Sequence, residues 1–341
     1  MEYGINDVKF DIPVVMFIFK RDKKASMIVD RLSKVRPQKL YLIGDGPRDT
    51  NEEVAVRQCR KIVESHVVWD CEVIKNYAKI NRGVYENIAG GAKWVFEREK
   101  WAIFLEDDNL PELSFFPFCK QLLQLYEKDM RILWICGTNY MKEWKFPGNT
   151  SYTFSQNMMP CGWASWGAKF NKFYDGDLLL WEDPVVNKLV RALRYDKRLK
   201  AQDIRNWDRE LRRKKKGLKF DSWDYQMSFS LRVNGLYGIV PKYNQICNIG
   251  VDSYSIHGGT NFNNVMTKRF CGLPTKNIEF PLRNPACVLS DPRFEQKLTH
   301  IILLPFRERL RTKVSQTMKK LFKMDPDVGF ISTLKARFRI S

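Results

Sequence analysis

Apolar runs of strand length alternate with segments of helical periodicity through the first part of the chain. Continuous apolar runs predict strands at 13–19, 39–43, within 67–74 and at 101–105. Between them, apolar residues spaced three and four apart predict helices over 23–35, 52–64 and 84–98. Strands that alternate with helices form a mostly parallel sheet with right-handed crossovers, so the pattern predicts an α/β, Rossmann-like fold. Ligands of such sheets bind beyond the carboxyl ends of the strands.

Three consecutive carboxylates follow the fourth predicted strand. Glu106, Asp107 and Asp108 come directly after its apolar run, and Pro111 is expected to stop the strand. Like charges at the end of a buried strand repel one another, and a divalent cation removes that cost. Their hard oxygen atoms suit Mg²⁺ or Mn²⁺ carried on a phosphate group. A solvated acidic turn is the plain alternative. Asp45 follows the second strand, and the two acidic positions should therefore face one crevice.

The remainder of the chain is less regular and ends in a basic helical segment. A basic helix is predicted over 203–216 and a short strand over 236–241. From Phe306 onward a helical stripe of apolar residues is interspersed with Lys and Arg, the stripe being Leu310, Val314, Met318, Leu321 and Phe322. Asp325 and Pro326 break this helix, and a second short basic helix is expected near 330–338. These patterns predict one α/β domain over 1–290 and a basic amphipathic helical tail over 291–341.

The chain carries a large excess of basic residues. A formal charge of +19 over 341 residues implies an anionic partner. The excess is concentrated, because residues 188–219 hold 14 basic against four acidic residues and residues 305–341 hold ten against three. Basic amphipathic helices commonly lie on an anionic bilayer surface. We therefore expect the tail to bind such a surface, with docking onto the protein core as the alternative.

Several features that would mark a membrane-spanning, zinc-binding or dinucleotide-binding protein are absent from the sequence. There is no run of 18 apolar residues and no secretory signal at the N-terminus, so no spanning helix is expected. The eight cysteines include no Cys-x-x-Cys pair, so a zinc site is not expected. We interpret them as reduced core residues of a cytoplasmic protein. No Gly-x-Gly-x-x-Gly or Walker-type loop follows the first strand, which disfavours a dinucleotide enzyme or a P-loop ATPase.

Four groups of residues occur in an order that is typical of one enzyme class. They are the strand 13–19 with Asp45, the segment Asn81-Arg82-Gly83, the run Glu106-Asp107-Asp108, and the late residues Trp223-Asp224, Asn248 to Gly250 and His257. Across residues 12–260 this order resembles the nucleotide-sugar glycosyltransferases of the glycosyltransferase-A fold. It looks most like bacterial family-2-like enzymes and inverting N-acetylglucosaminyltransferases, whose metal motif is also Glu-Asp-Asp. The resemblance implies a nucleotide-sugar half over about 1–140 and an acceptor half over about 141–290.

The resemblance also implies a role for individual residues. Asp108 would hold Mn²⁺ or Mg²⁺ on the donor diphosphate, and His257 would complete the metal or diphosphate shell. Asp224 would be the base that takes the acceptor hydroxyl proton in a single displacement with inversion, a helix cap near Ser222 being the plain alternative. Contacts to the donor would come from Pro13, Phe17, Asp45, Asn81, Arg82, Glu106, Asp107 and Trp163. Arg82 departs from the relatives, which often carry a smaller residue there.

The expected activity is transfer of a hexosyl or N-acetylhexosaminyl group from a nucleotide-sugar donor to a hydroxyl of a glycan or lipid-linked acceptor. The resemblance places it in bacterial surface polysaccharide synthesis, peripherally on the inner face of the cell membrane. A nucleotidyltransferase acting on sugar phosphates is the nearest alternative, although Lys20-Arg21-Asp22-Lys23 stands where its Gly-rich signature would be. A basic nucleic-acid-binding module is disfavoured because helix 203–216 lacks interleaved aromatics, so no nucleic acid partner is expected. A scaffold without catalysis is disfavoured by the intact carboxylates.

Overall fold

An eight-stranded sheet forms the centre of the protein. The computed structural model describes residues 9–252 and 261–327. Its central strands are β1 (Val14–Ile18), β2 (Lys39–Gly44), β3 (Glu72–Tyr77), β4 (Trp101–Glu106), β6 (Ile132–Cys136), β7 (Tyr152–Ser155), β8 (Trp163–Trp166) and β9 (Tyr237–Pro241). Two short strands, β5 (Asn109–Pro111) and β10 (Ile246–Asn248), form a separate antiparallel pair.

Helices cover both faces of this sheet. Those of the first half are α1 (Asp22–Val35), α2 (Thr50–Ser65), α3 (Gly91–Phe96), which follows a π-helical turn (Glu86–Gly90), and α4 (Phe115–Leu125). Those of the second half are α5 (Gly167–Phe173), α6 (Leu179–Glu182), α7 (Pro184–Ala192), α8 (Lys197–Lys215), α9 (Asp224–Val233), α10 (Val265–Phe270), α11 (Pro292–Ile302) and α12 (Phe306–Leu321). Within the described residues none of them is both long and apolar enough to cross a bilayer.

The order of the strands is β3-β2-β1-β4-β8-β6-β9-β7. The four strands from β3 to β4 are parallel, β8 runs antiparallel to both of its neighbours, and β6 and β9 are again parallel. The predicted α/β fold, with a mostly parallel sheet flanked by helices, is confirmed. Because β1, β2 and β4 are parallel neighbours, their carboxyl ends meet at one edge of the sheet.

Successive side chains of β1 point alternately into two apolar clusters, which hold this strand in place from both faces of the sheet. Val14 and Met16 point into one apolar cluster, with residues of α1, α2 and α4. Val15 and Phe17 point into a second cluster, with residues of α3, α9 and α11. Each of these side chains is at most 3% exposed. A parallel strand buried on both faces reads as a continuous apolar run, which is how the sequence revealed it.

Some predicted boundaries are wrong. The strand that carries Glu106 ends at that residue, and Pro111 is instead the last residue of a separate short strand, β5, which pairs with β10. The third strand begins at Glu72 rather than near 67, since Val68 is exposed and the Trp69 indole donates to the Pro37 carbonyl over 3.0 Å. The basic helix begins at Lys197, ahead of the predicted residue 203, because the Asp196 carboxylate accepts bonds from the first backbone amides of α8.

The last two described helices differ in their surroundings. Phe294 and Leu298 of α11 are completely buried in the second apolar cluster, so residues 292–302 pack into the core although they lie beyond the predicted boundary at 290. In α12 no residue is buried. The exposed basic segment therefore begins at Phe306, and the second helix expected near 330–338 lies outside the described residues.

Candidate active site

A cavity of about 570 Å³ opens at the carboxyl ends of β1, β2 and β4. The first half of the chain contributes mainly polar residues to its wall, among them Arg21, Asp45, Asn81, Asn87, Glu106, Asp107 and Asp108. The second half contributes a more apolar wall with a few polar groups, among them Tyr140, Met158, Cys161, Gln202, Asn206, Asp224, Met266, Phe270 and Leu304. Both acidic positions expected to share a crevice, after β2 and after β4, line this cavity.

Asp45 shapes one rim of the cavity. Its Oδ1 accepts from the Arg82 backbone amide at 2.6 Å, and its Oδ2 accepts from the Gly83 amide at 3.1 Å and the Asn81 side chain at 2.9 Å. Gly83 has a φ of +86°, a conformation that favours glycine. The carboxylate thus ties the 81–83 loop to the end of β2. The predicted contact between Asp45 and a nucleotide stays a prediction.

Asp45→Asn is expected to loosen this loop, because an amide nitrogen cannot accept the bonds that Asp45 Oδ2 now accepts. Each buried hydrogen bond left unmade costs about 1–3 kcal/mol. We expect a lower melting temperature and a Michaelis constant for the donor raised about tenfold. The control is Asp49→Ala, which removes the N-cap carboxylate of α2, a residue outside the cavity wall. A loss of stability in both variants with an unchanged Michaelis constant in Asp45→Asn would make the loop irrelevant to donor binding.

Glu106, the last residue of β4, is half-buried, and Asp107 and Asp108 directly after it are buried. The Asp107 Oδ2 atom accepts from the Phe19 backbone amide at 3.1 Å, which fixes it beside the end of β1. The Asp108 Oδ1 atom accepts from the Asn109 side chain at 2.6 Å, and its backbone carbonyl accepts from the Ile249 amide at 2.8 Å. A Cβ at Gly250 would lie 2.2 Å from Asp108 Oδ2, so only glycine allows this close approach.

Burial and mutual repulsion disfavour ionisation of all three groups. Burial, followed by repulsion from Asp108 and Asp107, raises the pKa of Glu106 well above its usual range. Burial and the neighbouring Asp108 raise the pKa of Asp107 to about 6, although Arg21 opposes this. The pKa of Asp108 is also raised, chiefly by burial. Ionisation of all three acids together is therefore disfavoured in the unliganded site, although Arg21 lies beside Asp107 and Asp108.

Glu106→Gln is expected to stabilise the unliganded protein. A carboxyl with a raised folded-state pKa costs stability as the pH rises above its unfolded pKa, because the unfolded chain ionises first. We expect a higher melting temperature for the variant at about pH 7.5, and a difference that shrinks as the pH falls toward the ordinary glutamate value of 4.5. The exposed Glu97→Gln serves as control. Equal melting temperatures for wild type and Glu106→Gln at neutral pH would contradict the burial argument.

Arg21 is the cation nearest to these carboxylates in the described residues. Its Nη1 atom lies 2.7 Å from Asp108 Oδ2 and 3.1 Å from Asp107 Oδ1, and its Nε atom lies 3.3 Å from Asp252 Oδ2. Burial alone would lower the pKa of Arg21, but attraction to the three aspartates raises it overall. The sequence showed Arg21 only as part of the basic segment after β1. A basic residue at the end of a strand that faces three carboxylates is the signal that could have identified it.

The carboxylates suit a divalent cation in their chemistry. They are hard oxygen donors that burial leaves short of positive charge, and Asp108 Oδ2 already holds a cationic group. The described residues contain no group of three or more His, Cys, Asp and Glu side chains that could hold a metal by themselves. Asp108 would therefore hold Mn²⁺ or Mg²⁺ only together with ligand oxygens from a phosphate or water. The predicted ligand His257 lies outside the described residues.

Asp224, the first residue of α9, lines the same cavity. The Ser222 hydroxyl donates to the Asp224 carboxylate and accepts from the Tyr225 backbone amide at 3.2 Å. Ser222, rather than Asp224, thus accepts the amide of the first turn. The negative charge of Asp224 is one of the causes that raise the pKa of Glu106.

The remaining predicted donor contacts are not all brought together. Phe17 and Asn81 line the cavity, but Pro13, Arg82 and Trp163 are not among its lining residues. Pro13 precedes β1, at the opposite end of that strand, and the Arg82 side chain donates to Asn76 Oδ1 at 2.7 Å. Trp163 is only 1% exposed and is stacked between other aromatic rings, with centroid distances of 3.9 Å to Phe104 and 4.2 Å to Trp134. Its described role is core packing behind the site.

Comparison with known proteins gives only distant likenesses. No protein-family model matches the chain, and no curated protein matches it. A mannosyltransferase from Pyrobaculum calidifontis, solved with GDP-Man and Mn²⁺, is 10% identical with a TM-score of 0.34, and the match covers 48% of this chain and 47% of that one. The chain thus spans about half the length of that enzyme.

Two further solved structures belong to different enzyme types. Mouse xyloside xylosyltransferase 1 is 11% identical with a TM-score of 0.36, and the match covers 66% of this chain and 83% of that one. A UDP-glucose pyrophosphorylase complexed with UDP-glucose is 10% identical with a TM-score of 0.33, and the match covers 70% and 93%. Glycosyltransferases and nucleotidyltransferases thus both occur among the similar structures. These scores are too low to support a function, so the proposal below depends on the site itself.

Proposed function

We propose that the protein is a metal-dependent glycosyltransferase that moves a sugar from a nucleotide-diphosphate donor to an acceptor hydroxyl, with inversion. The observation that carries the proposal is the arrangement of acids in one cavity. Three adjacent carboxylates lie at the sheet edge, and a separate carboxylate, Asp224 at the first residue of α9, lines the same cavity. The first group suits a cation on a diphosphate, and the second can receive a proton from an acceptor held between the walls.

In this mechanism the donor diphosphate lies at the ends of β1 and β4. Asp108 would hold the divalent cation, which would supply positive charge to neutralise the charge that develops on the leaving diphosphate. The side chains of Lys20, Arg21 and Arg48 line the same cavity and add positive charge near the diphosphate. Asn81 and the loop fixed by Asp45 border the nucleoside, while Glu106 and Asp107 face the ribose and the sugar.

The acceptor approaches from the wall made by the second half of the chain. Asp224 accepts the proton of the attacking hydroxyl, so the new bond forms on the face of the anomeric carbon opposite the leaving group. Gln202 and Asn206 provide hydrogen-bonding groups on this side, and Tyr140 and Phe270, whose ring centroids are 4.6 Å apart, provide an apolar surface. This mixture suits a hydroxyl-bearing glycan or lipid-linked acceptor, as in bacterial surface polysaccharide synthesis.

A binding experiment separates this function from a nucleic-acid role for the basic surface. The protein is expected to be retained on an immobilised nucleoside diphosphate in the presence of Mn²⁺ and to elute with a chelator. Retention on DNA alone, abolished by salt and indifferent to metal, would contradict the proposal. A nucleotidyltransferase acting on sugar phosphates is told apart by its product, because it forms pyrophosphate rather than a free nucleoside diphosphate.

The exposed face of α12 supports a peripheral location on an anionic membrane. Phe306, Leu310, Val314 and Leu321 recur at helical spacing and are 50% or more exposed. Residues 306–323 also contain seven Lys or Arg and one Glu. A helix with an exposed apolar stripe and basic flanks matches the boundary between anionic headgroups and acyl chains. We place this surface on the cytoplasmic face of the membrane.

Vesicle co-sedimentation tests this location with the full chain. We expect the variant Leu310→Ser, Val314→Ser, Leu321→Ser to bind anionic vesicles at least tenfold more weakly, since each buried CH₂ contributes about 0.8 kcal/mol. The control is Val68→Ser with Val185→Ser, which removes exposed apolar side chains elsewhere. Equal pelleting of all three proteins, or no pelleting of the wild type, would exclude α12 as the membrane contact.

A further inference from the structure

Arg21 is held by acidic groups from two separate parts of the chain. Its guanidinium contacts the carboxylates of Asp107 and Asp108 after β4, and that of Asp252, and its Nη2 atom lies 3.5 Å from the Gly250 carbonyl oxygen. Its side chain is 15% exposed. These contacts bring the 250–252 segment against the carboxylates. In the described structure the guanidinium fills the position where Asp108 Oδ2 would meet a metal ion.

Arg21 also borders two cavities. The first is the candidate active site, and the second, of about 520 Å³, lies between α1 and α2 with Lys20, Lys23, Lys24, Asn51 and Gln58 in its wall. The residues around Arg21 at the start of α1 are therefore mostly basic. A polyanion in the active-site cavity that approached this point would meet Arg21 and Lys20 together.

We propose that Arg21 exchanges partners during donor binding: it neutralises Asp107 and Asp108 in the empty site, and it binds the donor diphosphate when a divalent cation takes over those carboxylates. The inference rests on the proposed use of a nucleotide-diphosphate donor. A guanidinium and a divalent cation at Asp108 Oδ2 repel each other, so the binding of one disfavours the other. The planar fork of arginine matches phosphate oxygens, so a diphosphate offers the displaced group an equivalent partner.

Arg21 should have opposite effects on the binding of the cation alone and on the binding of the diphosphate. Arg21 competes with the cation, so the cation alone binds weakly to the wild-type protein. Arg21 also attracts the diphosphate, so the nucleoside diphosphate and the cation strengthen each other's binding by the same factor. A residue that merely supports the fold would not produce this pair of effects, because its loss would weaken both ligands.

The test measures Mn²⁺ binding by electron paramagnetic resonance and nucleoside diphosphate binding by calorimetry. We expect Arg21→Gln to bind Mn²⁺ alone about tenfold more tightly than the wild type, because two carboxylates lose their resident counter-ion. We expect the same variant to bind nucleoside diphosphate at saturating Mn²⁺ at least tenfold more weakly. Thermal shift gives a third readout, since Mn²⁺ should stabilise Arg21→Gln more than it stabilises the wild type.

Two further variants serve as controls. Lys23→Gln removes one positive charge from the exposed surface of the same helix and should change neither constant by more than about twofold. Arg21→Lys keeps the charge without the fork, so it should restore competition with Mn²⁺ more than it restores diphosphate binding.

Weaker or unchanged Mn²⁺ binding in Arg21→Gln would overturn the exchange. An unchanged affinity for nucleoside diphosphate in that variant would show that Arg21 does not bind the diphosphate. Failure of the proposed function looks different, because the wild type would then bind Mn²⁺ and nucleoside diphosphate as expected but transfer no sugar from any donor.

Discussion

Asp108→Ala is expected to abolish sugar transfer and to leave the fold intact. In the proposed mechanism the leaving diphosphate gains negative charge, and the cation that neutralises it needs the Asp108 carboxylate. The variant also removes one of three adjacent, mutually repelling carboxylates, so the unliganded protein should keep its melting temperature or gain slightly. Its turnover should fall below detection in Mn²⁺. The control Asp22→Ala, whose carboxylate accepts from the Gln58 side chain of α2 and is not in the wall of the candidate active site, should keep wild-type turnover.

The measurement is donor consumption followed over a range of Mn²⁺ concentrations. Asp108→Ala should show no recovery at high Mn²⁺, because the ligand itself is missing. Metal-stimulated transfer that survives in this variant, or wild-type transfer that a chelator leaves unchanged, would remove Asp108 from the mechanism.

Asp224→Asn is expected to keep nucleotide binding and to lose transfer. An asparagine has the same shape but cannot take a proton, and the loss of a general base typically slows a reaction about 10²–10⁴-fold. Because Asp224 is not one of the carboxylates proposed to hold the cation, the affinity for nucleoside diphosphate should change little. The control is Asp221→Asn, which removes a nearby carboxylate that pairs with Arg213 over 2.8 Å, outside the cavity wall.

Product stereochemistry gives an independent check of Asp224. A single displacement inverts the anomeric centre, so nuclear magnetic resonance of the product should show the configuration opposite to that of the donor. Retained configuration would reject both the single displacement and the role of Asp224 as its base. Wild-type turnover in Asp224→Asn would reject Asp224 as the base but would leave the single displacement in place.

Much of the fold was predictable because the pattern of apolar residues along the sequence indicates which faces of each strand or helix are buried. The runs that became β1, β2 and β4 are covered on both faces, so their residues are continuously apolar and their strand character is unambiguous. The order of these strands placed Asp45 and the run after β4 at one edge. Where a cap or a turn decided the boundary, as Asp196 does for α8, the apolar pattern alone missed it.

The site was only partly predictable, because side-chain contacts between distant segments leave no periodic signal. The Arg21 interaction with Asp107 and Asp108 joins residues 86 and 87 positions apart. Trp163 was expected to contact the donor, yet stacking on Phe104 and Trp134 buries it in the core. An aromatic residue beside a predicted site can either contact a ligand or pack in the core. Its contacts in the folded structure decide which of the two it does.

The proposed function as a whole is tested most directly by a screen of nucleotide sugars. The purified protein is incubated with each donor, with Mn²⁺ or with a chelator, and released nucleoside diphosphate is measured. A parallel incubation with nucleoside triphosphates and sugar 1-phosphates measures pyrophosphate. We expect at least one donor to release nucleoside diphosphate, with the release lost in the chelator and in Asp108→Ala. Pyrophosphate formed in the parallel incubation, release of nucleoside diphosphate that is indifferent to the chelator, or no consumption of any donor would contradict the assignment as a metal-dependent glycosyltransferase.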